Sequence, residues 1–224
     1  MISVSTFIRH NSIWDQVAPT MEPVISVANT HQTSLGTAVM PRSTPKRHAF
    51  IAETAFLLAS SEFAGDSYSR GEVEEKARDF LLKLPRGAES RPELTPAEWH
   101  EVGRLAQVTQ KYTSLLVEPK FSPFIPGCGV VDSAVGDVLA GSELVEVKTV
   151  ARPFRVPDLR QALTYTAMLY SAGLSVTHIT LLNPRRARVV KMSIGRIAAG
   201  VRGGSAVELL QDLVEAMIEL QVSA

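Results

Sequence analysis

Apolar residues recur every three to four positions in several stretches of the first half of the chain, which is the spacing of an amphipathic helix. This pattern predicts helices over residues 48–62, after Ser69 and after Thr95. Ser69 and Thr95 are each followed three residues later by a glutamate, which is the capping-box pattern of a helix start. A segment rich in Ser, Thr and Pro, residues 26–47, is predicted to be loop. The first half, residues 1–115, is therefore predicted to be mostly helical.

The pattern changes near residue 114, where short runs rich in Val, Ile and Leu are separated by Gly and Pro, as expected for β-strands. One helix is predicted among them, with Asp158 as its N-cap and Gly173 at its end. Helices followed by β-β-β-α-β-β and a last helix predict an α/β (α+β) fold, a mixed β-sheet core flanked by helices. The core is assigned to residues 116–202. Strands are predicted in five runs, at residues 114–121, 136–141, 143–150, 175–183 and 187–194.

A C-terminal amphipathic helix is predicted within residues 203–224, beginning with a capping box at Ser205 and Glu208. This segment carries four acidic residues and no Lys or Arg. Its apolar face has two interpretations: it packs on the core of its own domain, or it binds a protein partner or a second copy in a homodimer. The face consists of Leu209, Leu210, Leu213, Met217 and Leu220.

Composition sets broad limits on the class of protein. The chain has 224 residues, 45% of them hydrophobic, and no formal net charge, which argues against a uniformly basic nucleic-acid binder. Residues 119–202 nevertheless carry 11 Lys and Arg against 5 Asp and Glu. Cys128 is the only cysteine, so no intramolecular disulfide is possible. We find no signal-peptide pattern and no apolar run of membrane-spanning length, and we expect a cytoplasmic protein without a membrane partner.

The stretch "GDVLAGSELVEVKT" places three charged residues on one predicted β-hairpin. Glu146 and Lys148 are two residues apart and share a face, and Asp137 begins the partner strand. A Mg²⁺ (or Mn²⁺) ion explains this convergence, because two carboxylates and the carbonyl oxygen of Val147 are hard oxygen ligands. Lys148 would then orient or deprotonate a water and stabilise negative charge. These are the parts needed to hydrolyse a phosphodiester.

Asp137, the hairpin and the Glu146-x-Lys148 motif together resemble the PD-(D/E)xK nuclease superfamily, whose fold is restriction-endonuclease-like. In the branch related to the RecB nuclease domain and the Cas4 exonucleases, the following helix carries Gln-x-x-x-Tyr. Here that helix has Gln161 and Tyr165 at i and i+4. The resemblance covers roughly residues 120–195. It implies that Asp137 and Glu146 bind the metal, that Lys148 is catalytic, and that Gln161 and Tyr165 line the DNA channel or position the water.

Three assignments stay open in the sequence. Gln161 lies three residues after Asp158, where a glutamine also completes a capping box. Asp132, in a Gly-x-x-Asp pattern, is an alternative to Asp137 as the first metal ligand or a contributor around it. An additional helical acid or histidine often completes such sites in the superfamily. The candidates for it are Glu53, His100 and Glu101.

Several arginines lie within residues 152–188, around the predicted Gln161 helix and just after the strand that follows it. They are predicted to neutralise backbone phosphates without contacting bases. The predicted nucleic-acid-binding residues are Arg152, Arg155, Arg160, Arg185 and Arg186, with Arg188 close by.

The sequence therefore predicts a metal-dependent nuclease that hydrolyses DNA phosphodiester bonds. Restriction, phage defence and repair are the usual settings of the superfamily, and the resemblance implies one of them. The chain has no motif for reading a DNA sequence, so a protein partner or a homodimer is expected to supply specificity. The alternative is a catalytically inert PD-(D/E)xK-fold protein that binds DNA or assembles subunits.

Overall fold

A computed structural model describes residues 1–66, 68–82 and 89–220, which form a mixed α/β fold. The main sheet has six strands in the order β1-β8-β7-β6-β5-β2, and β3 and β4 form a separate two-stranded sheet. The strands are β1 (Thr33–Ser34), β2 (Lys120–Phe121), β3 (Phe124–Ile125), β4 (Ala134–Val135), β5 (Val138–Ala140), β6 (Glu143–Val147), β7 (His178–Asn183) and β8 (Arg188–Ser193).

The centre of the sheet combines antiparallel and parallel pairing. Strands β5 and β6 form an antiparallel hairpin, and Gly141 occupies its turn with a positive φ of 55° that favours glycine. Strand β6 then pairs in parallel with β7, and β7 pairs antiparallel with β8. A parallel pair needs a crossover connection. The helix after β6 provides it.

Helices cover both faces of the sheet. The first three helices and the last three pack on one face, and the remaining three pack on the other. The helices are α1 (Val4–Phe7), α2 (Asn11–Val17), α3 (Met21–Thr30), α4 (His48–Ala64), α5 (Arg70–Leu82), α6 (Pro96–Thr113), α7 (Val156–Ser171), α8 (Ile194–Arg202) and α9 (Ala206–Glu219).

Successive side chains of β6 point to opposite faces of the sheet, and each face is covered by a different group of helices. Leu144 belongs to the core beneath α7, and Val145 belongs to the core beneath α4 and α6. Because side chains two apart in a strand share a face, Glu146 lies on the α7 side together with Leu144. The strand therefore presents an acidic side chain to α7 at the end of an otherwise apolar row.

Several sequence predictions are confirmed and others need correction. The capping boxes at Thr95 and Ser205 are present. Helix α7, however, begins at Val156, because Pro157 occupies its first turn and Asp158 sits at the third helical position. The strand predicted at 114–121 is reduced to β2. Helix α3 ends within the segment predicted to be loop.

Helix α9 settles the two interpretations of the C-terminal apolar face. Four of its five predicted face residues are buried in the core shared with α7, and Leu220 is half-buried against it. The face therefore packs on its own domain. Residues 221–224 of the predicted C-terminal segment lie outside the described residues. None of the helices the structure describes is both long and apolar enough to cross a membrane.

Candidate active site

The β5–β6 hairpin brings two carboxylates together. Asp137 immediately precedes β5, and Val138 pairs with Val145, so continuing this register places Asp137 opposite Glu146. The backbone N–H of Val147 donates to Asp137 Oδ2 at 2.6 Å. This bond fixes the Asp137 side chain against the end of β6.

Lys148 follows β6 and remains tied to the sheet, because its backbone N–H donates to the carbonyl of Leu182 at 2.8 Å. Its Nζ lies 2.7 Å from Glu146 Oε1 and 2.8 Å from Gln161 Oε1. Lys148 therefore links the acidic strand to helix α7.

Helix α7 extends the same network. The side-chain amide of Gln161 donates to the hydroxyl of Tyr165 at 3.0 Å. Because α7 begins at Val156, the capping position three residues after the N-cap is occupied by Asp158 and not by Gln161. The Gln161 side chain is therefore available to contact Lys148 and Tyr165. The backbone N–H of Arg155 donates instead to Oδ2 of Asp158, at 2.8 Å. Gln161 therefore has no part in a capping box, and its amide oxygen contacts Lys148 instead.

Burial dominates the electrostatics of this cluster. Burial raises the pKa of Asp137 and the pKa of Glu146, and the neighbouring Asp137 carboxylate raises that of Glu146 further. Burial alone would lower the pKa of Lys148, but the carboxylates of Glu146 and Asp137 outweigh it and raise that pKa. Lys148 therefore stays protonated between two carboxylates.

A cleft of about 980 Å³ reaches this cluster at Asp137 and Lys148, whereas Glu146 is buried behind it. Asp137, Val147 and Lys148 line it from the sheet, and Glu53 lines it from helix α4. Burial raises the pKa of Glu53 to about 7. Glu53 also contributes to the raised pKa of Asp137, so the two carboxyl groups interact. Of the three helical candidates for an additional acid or histidine, the structure brings Glu53 to the site.

The other two candidates lie elsewhere. Glu101 is buried, with its Oε1 2.6 Å from Arg185 Nη1 and its Oε2 accepting the backbone N–H of Arg42. His100 is exposed and lines a separate small cleft on α6. Sequence alone gave no signal to choose Glu53, because the choice depends on how α4 packs across the end of the sheet.

Asp132 also lies apart from the cleft-lining residues. Its backbone N–H donates to the carbonyl of Ile2 at 2.9 Å, and the preceding residue, Val131, pairs with Cys128 in a turn. This turn packs against the C-terminal helix through the backbone of Val130 and Met217. Between the two candidate aspartates, the structure places Asp137 beside Glu146.

The predicted nucleic-acid-binding arginines separate into different environments. Arg185 is 3% exposed and ion-paired with Glu101, so its predicted phosphate contact is corrected to a structural role. Arg160 donates to the carbonyl of Ile8 and stacks over Trp14, which ties α7 to the N-terminal helices.

The remaining arginines are closer to solvent. Arg152 forms a two-pronged ion pair with Asp158, with contacts of 2.6 and 2.9 Å. Arg186 is half-buried in a turn, where its backbone N–H donates to Asn183. Arg155 has an exposed side chain at the start of α7. Arg155 is therefore the most accessible of the five predicted contacts.

Asp137 and Glu146 are the carboxylates of this cluster that could hold a divalent cation. No group of three or more His, Cys, Asp or Glu side chains close enough to hold a metal occurs within residues 1–66, 68–82 and 89–220. Mg²⁺, however, commonly uses only one or two carboxylates and keeps several waters. Glu146 Oε2 is buried and has no hydrogen-bond partner among the described residues, which is costly without a compensating charge. Asp137 and Glu146 therefore fit a hard divalent cation.

Comparison with known proteins adds no relative. No family model, curated protein or solved structure matches the chain.

Proposed function

We propose that this protein is a metal-dependent nuclease of the PD-(D/E)xK superfamily that hydrolyses phosphodiester bonds in DNA. The observation that carries the proposal is the continuous contact from Glu146 through Lys148 and Gln161 to Tyr165, with Asp137 beside it. Five residues predicted from the sequence form one buried cluster, of which Asp137 and Lys148 line the cleft. An ordinary solvated Glu-Lys pair on a hairpin would not bury its carboxylate or bring in a helix.

The architecture supports a restriction-endonuclease-like fold. An antiparallel strand pair carries the acidic residues and the lysine, a helix packs on that pair, and the next strand returns in parallel beside β6. A strand pair followed by a helix packed on the sheet is the arrangement that the resemblance implies for the superfamily core.

Asp137 and Glu146 would hold Mg²⁺ or Mn²⁺, with the carbonyl oxygen of Val147 as a third ligand. The Val147 N–H points towards Asp137, and in a strand the N–H and C=O of one residue project to the same side. Glu53, across the cleft, would add a carboxylate. When bound, the cation would supply charge neutralisation and an activated water.

The chain's own residues have distinct roles in this proposal. Lys148 Nζ lies beside Glu146 Oε1, where its charge would stabilise negative charge on the phosphate. Gln161 accepts from Lys148 and holds the ammonium group in place. Tyr165 accepts from Gln161 and fixes that amide.

Cleavage of supercoiled and linear plasmid DNA in Mg²⁺ or Mn²⁺ tests the proposal. Asp137→Asn and Glu146→Gln keep the shape of each side chain and are expected to abolish cleavage. Asp132→Asn is the matched control, because it removes the alternative aspartate outside the cleft, and it is expected to cleave as wild type does. Mn²⁺ is also expected to raise the melting temperature of wild type but not of Asp137→Asn.

One result would correct the metal ligand, and another would decide against the proposal. If Asp132→Asn were inactive and Asp137→Asn active, the metal ligand would be the other aspartate. If wild type neither cut DNA nor gained stability with Mn²⁺, the protein would be an inert member of the fold that binds DNA or another subunit.

A further inference from the structure

A small cleft beside helix α6 lies outside the candidate active site and carries three basic side chains. Its volume is about 180 Å³. The segment before α4 contributes residues 37–40 and Arg42, and α6 contributes His100, Glu101 and Arg104. Arg104 lies four residues after His100 and three after Glu101, so these side chains share one side of the helix. The cleft therefore combines two arginines and a histidine with one carboxylate.

The wall opposite α6 is anchored to both the sheet and the helix. The backbone N–H of Val39 donates to the carbonyl of Arg185, next to strand β8, at 2.8 Å. The backbone N–H of Arg42 donates to Glu101 Oε2 at 2.6 Å. Because the segment is fixed at these two points, it holds Arg42 across the cleft from α6.

The single carboxylate does not cancel the positive charge of the cleft. Glu101 Oε1 lies 2.6 Å from Arg185 Nη1, and both side chains are buried. Arg42 and Arg104 are exposed, and neither guanidinium pairs with a carboxylate in the part of the chain that the structure describes. Two uncompensated guanidinium groups therefore lie beside His100.

Arg185, immediately behind the cleft, has an unused donor. Its carbonyl and its guanidinium contact two of the lining residues, Val39 and Glu101. Arg185 Nη2 is nevertheless buried and has no hydrogen-bond partner among the described residues. A buried charged donor without an acceptor is costly. The unmet donor is a second sign, independent of the exposed arginines, that an anion belongs here.

The size of the cleft and its donors favour a phosphate group. Arginine binds phosphate through two parallel hydrogen bonds, and a histidine ring donates in either protonation state. A phosphate offers enough oxygens for three side chains at once, whereas a carboxylate has only two. Pockets that enclose a whole small molecule measure roughly 300–1,000 Å³, so this smaller cleft fits one charged group.

We propose that Arg42, His100 and Arg104 bind a single phosphate group. This inference goes beyond the proposed nuclease function and does not depend on it, because it uses no residue of the active-site cluster. Free phosphate and the phosphates of a DNA strand offer the same chemistry. Arg42 lies three residues before Pro45, which lines the active-site cleft, so their Cα atoms are at most about 11 Å apart.

Thermal unfolding of the full chain in phosphate, acetate or chloride at matched ionic strength is the first arm of the test. At roughly ten times its Kd, phosphate is expected to raise the melting temperature of wild type by about 3–6 °C, and acetate by less than about 1 °C. Arg42→Gln and Arg104→Gln remove one guanidinium each, and each is expected to lose most of the phosphate shift. In chloride both variants are expected to melt as wild type does, because these side chains are exposed.

Arg196→Gln is the matched control, because Arg196 is an exposed helical arginine that does not line the cleft. It is expected to keep the full phosphate shift. Phosphate also stabilises folded proteins generally, through its exclusion from their surface. A shift of equal size in wild type, Arg42→Gln, Arg104→Gln and Arg196→Gln would be this general effect and would overturn the proposal. An equal shift with acetate would also overturn it.

The affinity for a fluorescent DNA of about 20 nucleotides, measured in EDTA at several salt concentrations, identifies the source of the phosphate. If a DNA phosphate occupies the cleft, Arg104→Gln lowers the slope of log affinity against log salt by about 0.7 for a single strand and about 0.9 for a duplex. Arg196→Gln leaves the slope unchanged.

A phosphate shift that depends on Arg104, with an unchanged DNA slope, would identify free phosphate as the ligand. If neither the phosphate shift nor the DNA slope depended on Arg42 and Arg104, the site would not exist. Neither measurement involves cleavage, so failure of this site and failure of the proposed nuclease are distinguishable.

Discussion

Gln161 links helix α7 to the cluster that is proposed to be catalytic. Its carbonyl oxygen accepts from Lys148, and its amide donates to Tyr165. A lysine side chain has four rotatable carbon-carbon bonds, so a single ion pair with Glu146 leaves its ammonium group poorly fixed. The contact with Gln161 supplies the second anchor. Gln161 is thus a positioning residue.

Replacing Gln161 with Ala is expected to lower kcat about 10- to 100-fold, the range found for partners that orient a metal or catalytic group. KM is expected to change little, because the substitution leaves intact the cleft that is proposed to bind substrate. Tyr165→Phe removes only the hydroxyl and is expected to have a smaller effect. Steady-state kinetics with melting temperatures as a folding control would test this. A fall in melting temperature that accounts for the lost activity would show that Gln161 is merely structural.

Arg185 and Glu101 form a buried ion pair, with side chains 3% and 0% exposed. Removing one partner of such a pair leaves an unpaired buried charge. Arg185→Ala is therefore expected to lower the free energy of unfolding by about 3–5 kcal/mol, measured by urea denaturation. Arg186→Ala, at the half-buried neighbour, is expected to change it by less than about 0.5 kcal/mol.

The DNA affinity of the same two variants would reveal whether the structural role assigned to Arg185 is wrong. If Arg185→Ala kept its stability but bound DNA more weakly, Arg185 would contact phosphate as its sequence context suggested, and the buried pair would have been wrongly assigned.

At the scale of elements, helix α9 is a structural part of the domain. Leu213 is fully buried in the core shared with α7, and Val207 of the same helix is exposed. Leu213→Ala is expected to cost about 2–5 kcal/mol of unfolding free energy through lost burial and a cavity. Val207→Ala is the control and is expected to be nearly neutral. Equal and small costs, together with a lower solution mass for Leu213→Ala, would instead mean that the face binds another chain.

Elements with strong local signals were predictable from the sequence. The helix starts at Thr95 and Ser205 have side-chain capping partners three residues away, so local chemistry fixes them. Helix α8 was missed because Gly195 and Gly200 weaken its helical pattern. Strand β1 was missed because it has two residues and exists only through pairing with β8. Such long-range pairing leaves no local pattern.

At the scale of the whole molecule, the site is assembled from both helical layers. Glu53 comes from α4 on one face of the sheet, and Gln161 comes from α7 on the other. The sequence predicted the residues of the hairpin and α7, because their spacing is local. It left Glu53 as one of three candidates, because only packing brings α4 to the end of β6. It also predicted phosphate contacts for Arg185, whose burial is likewise a tertiary property.

The N-terminal region illustrates the same limit. Residues 1–115 were expected to form one helical region packed on the core. Helices α1–α3 pack on the sheet beside α7 and α8, and α4–α6 pack on its opposite face. The N-terminal region therefore covers both faces of the sheet, with α1–α3 on one face and α4–α6 on the other.

The rate at which Lys148→Met cuts single-stranded and plasmid DNA in Mg²⁺ is the most direct test of the central claim. Lys148→Met keeps the length of the side chain and removes its charge, and it is expected to slow cleavage by at least about 100-fold. Lys120→Met, at an exposed lysine on strand β2, is the control and is expected to match wild type. Equal rates for Lys148→Met and wild type would contradict the account, because the buried contact of Glu146, Lys148 and Gln161 would then have no part in cleavage.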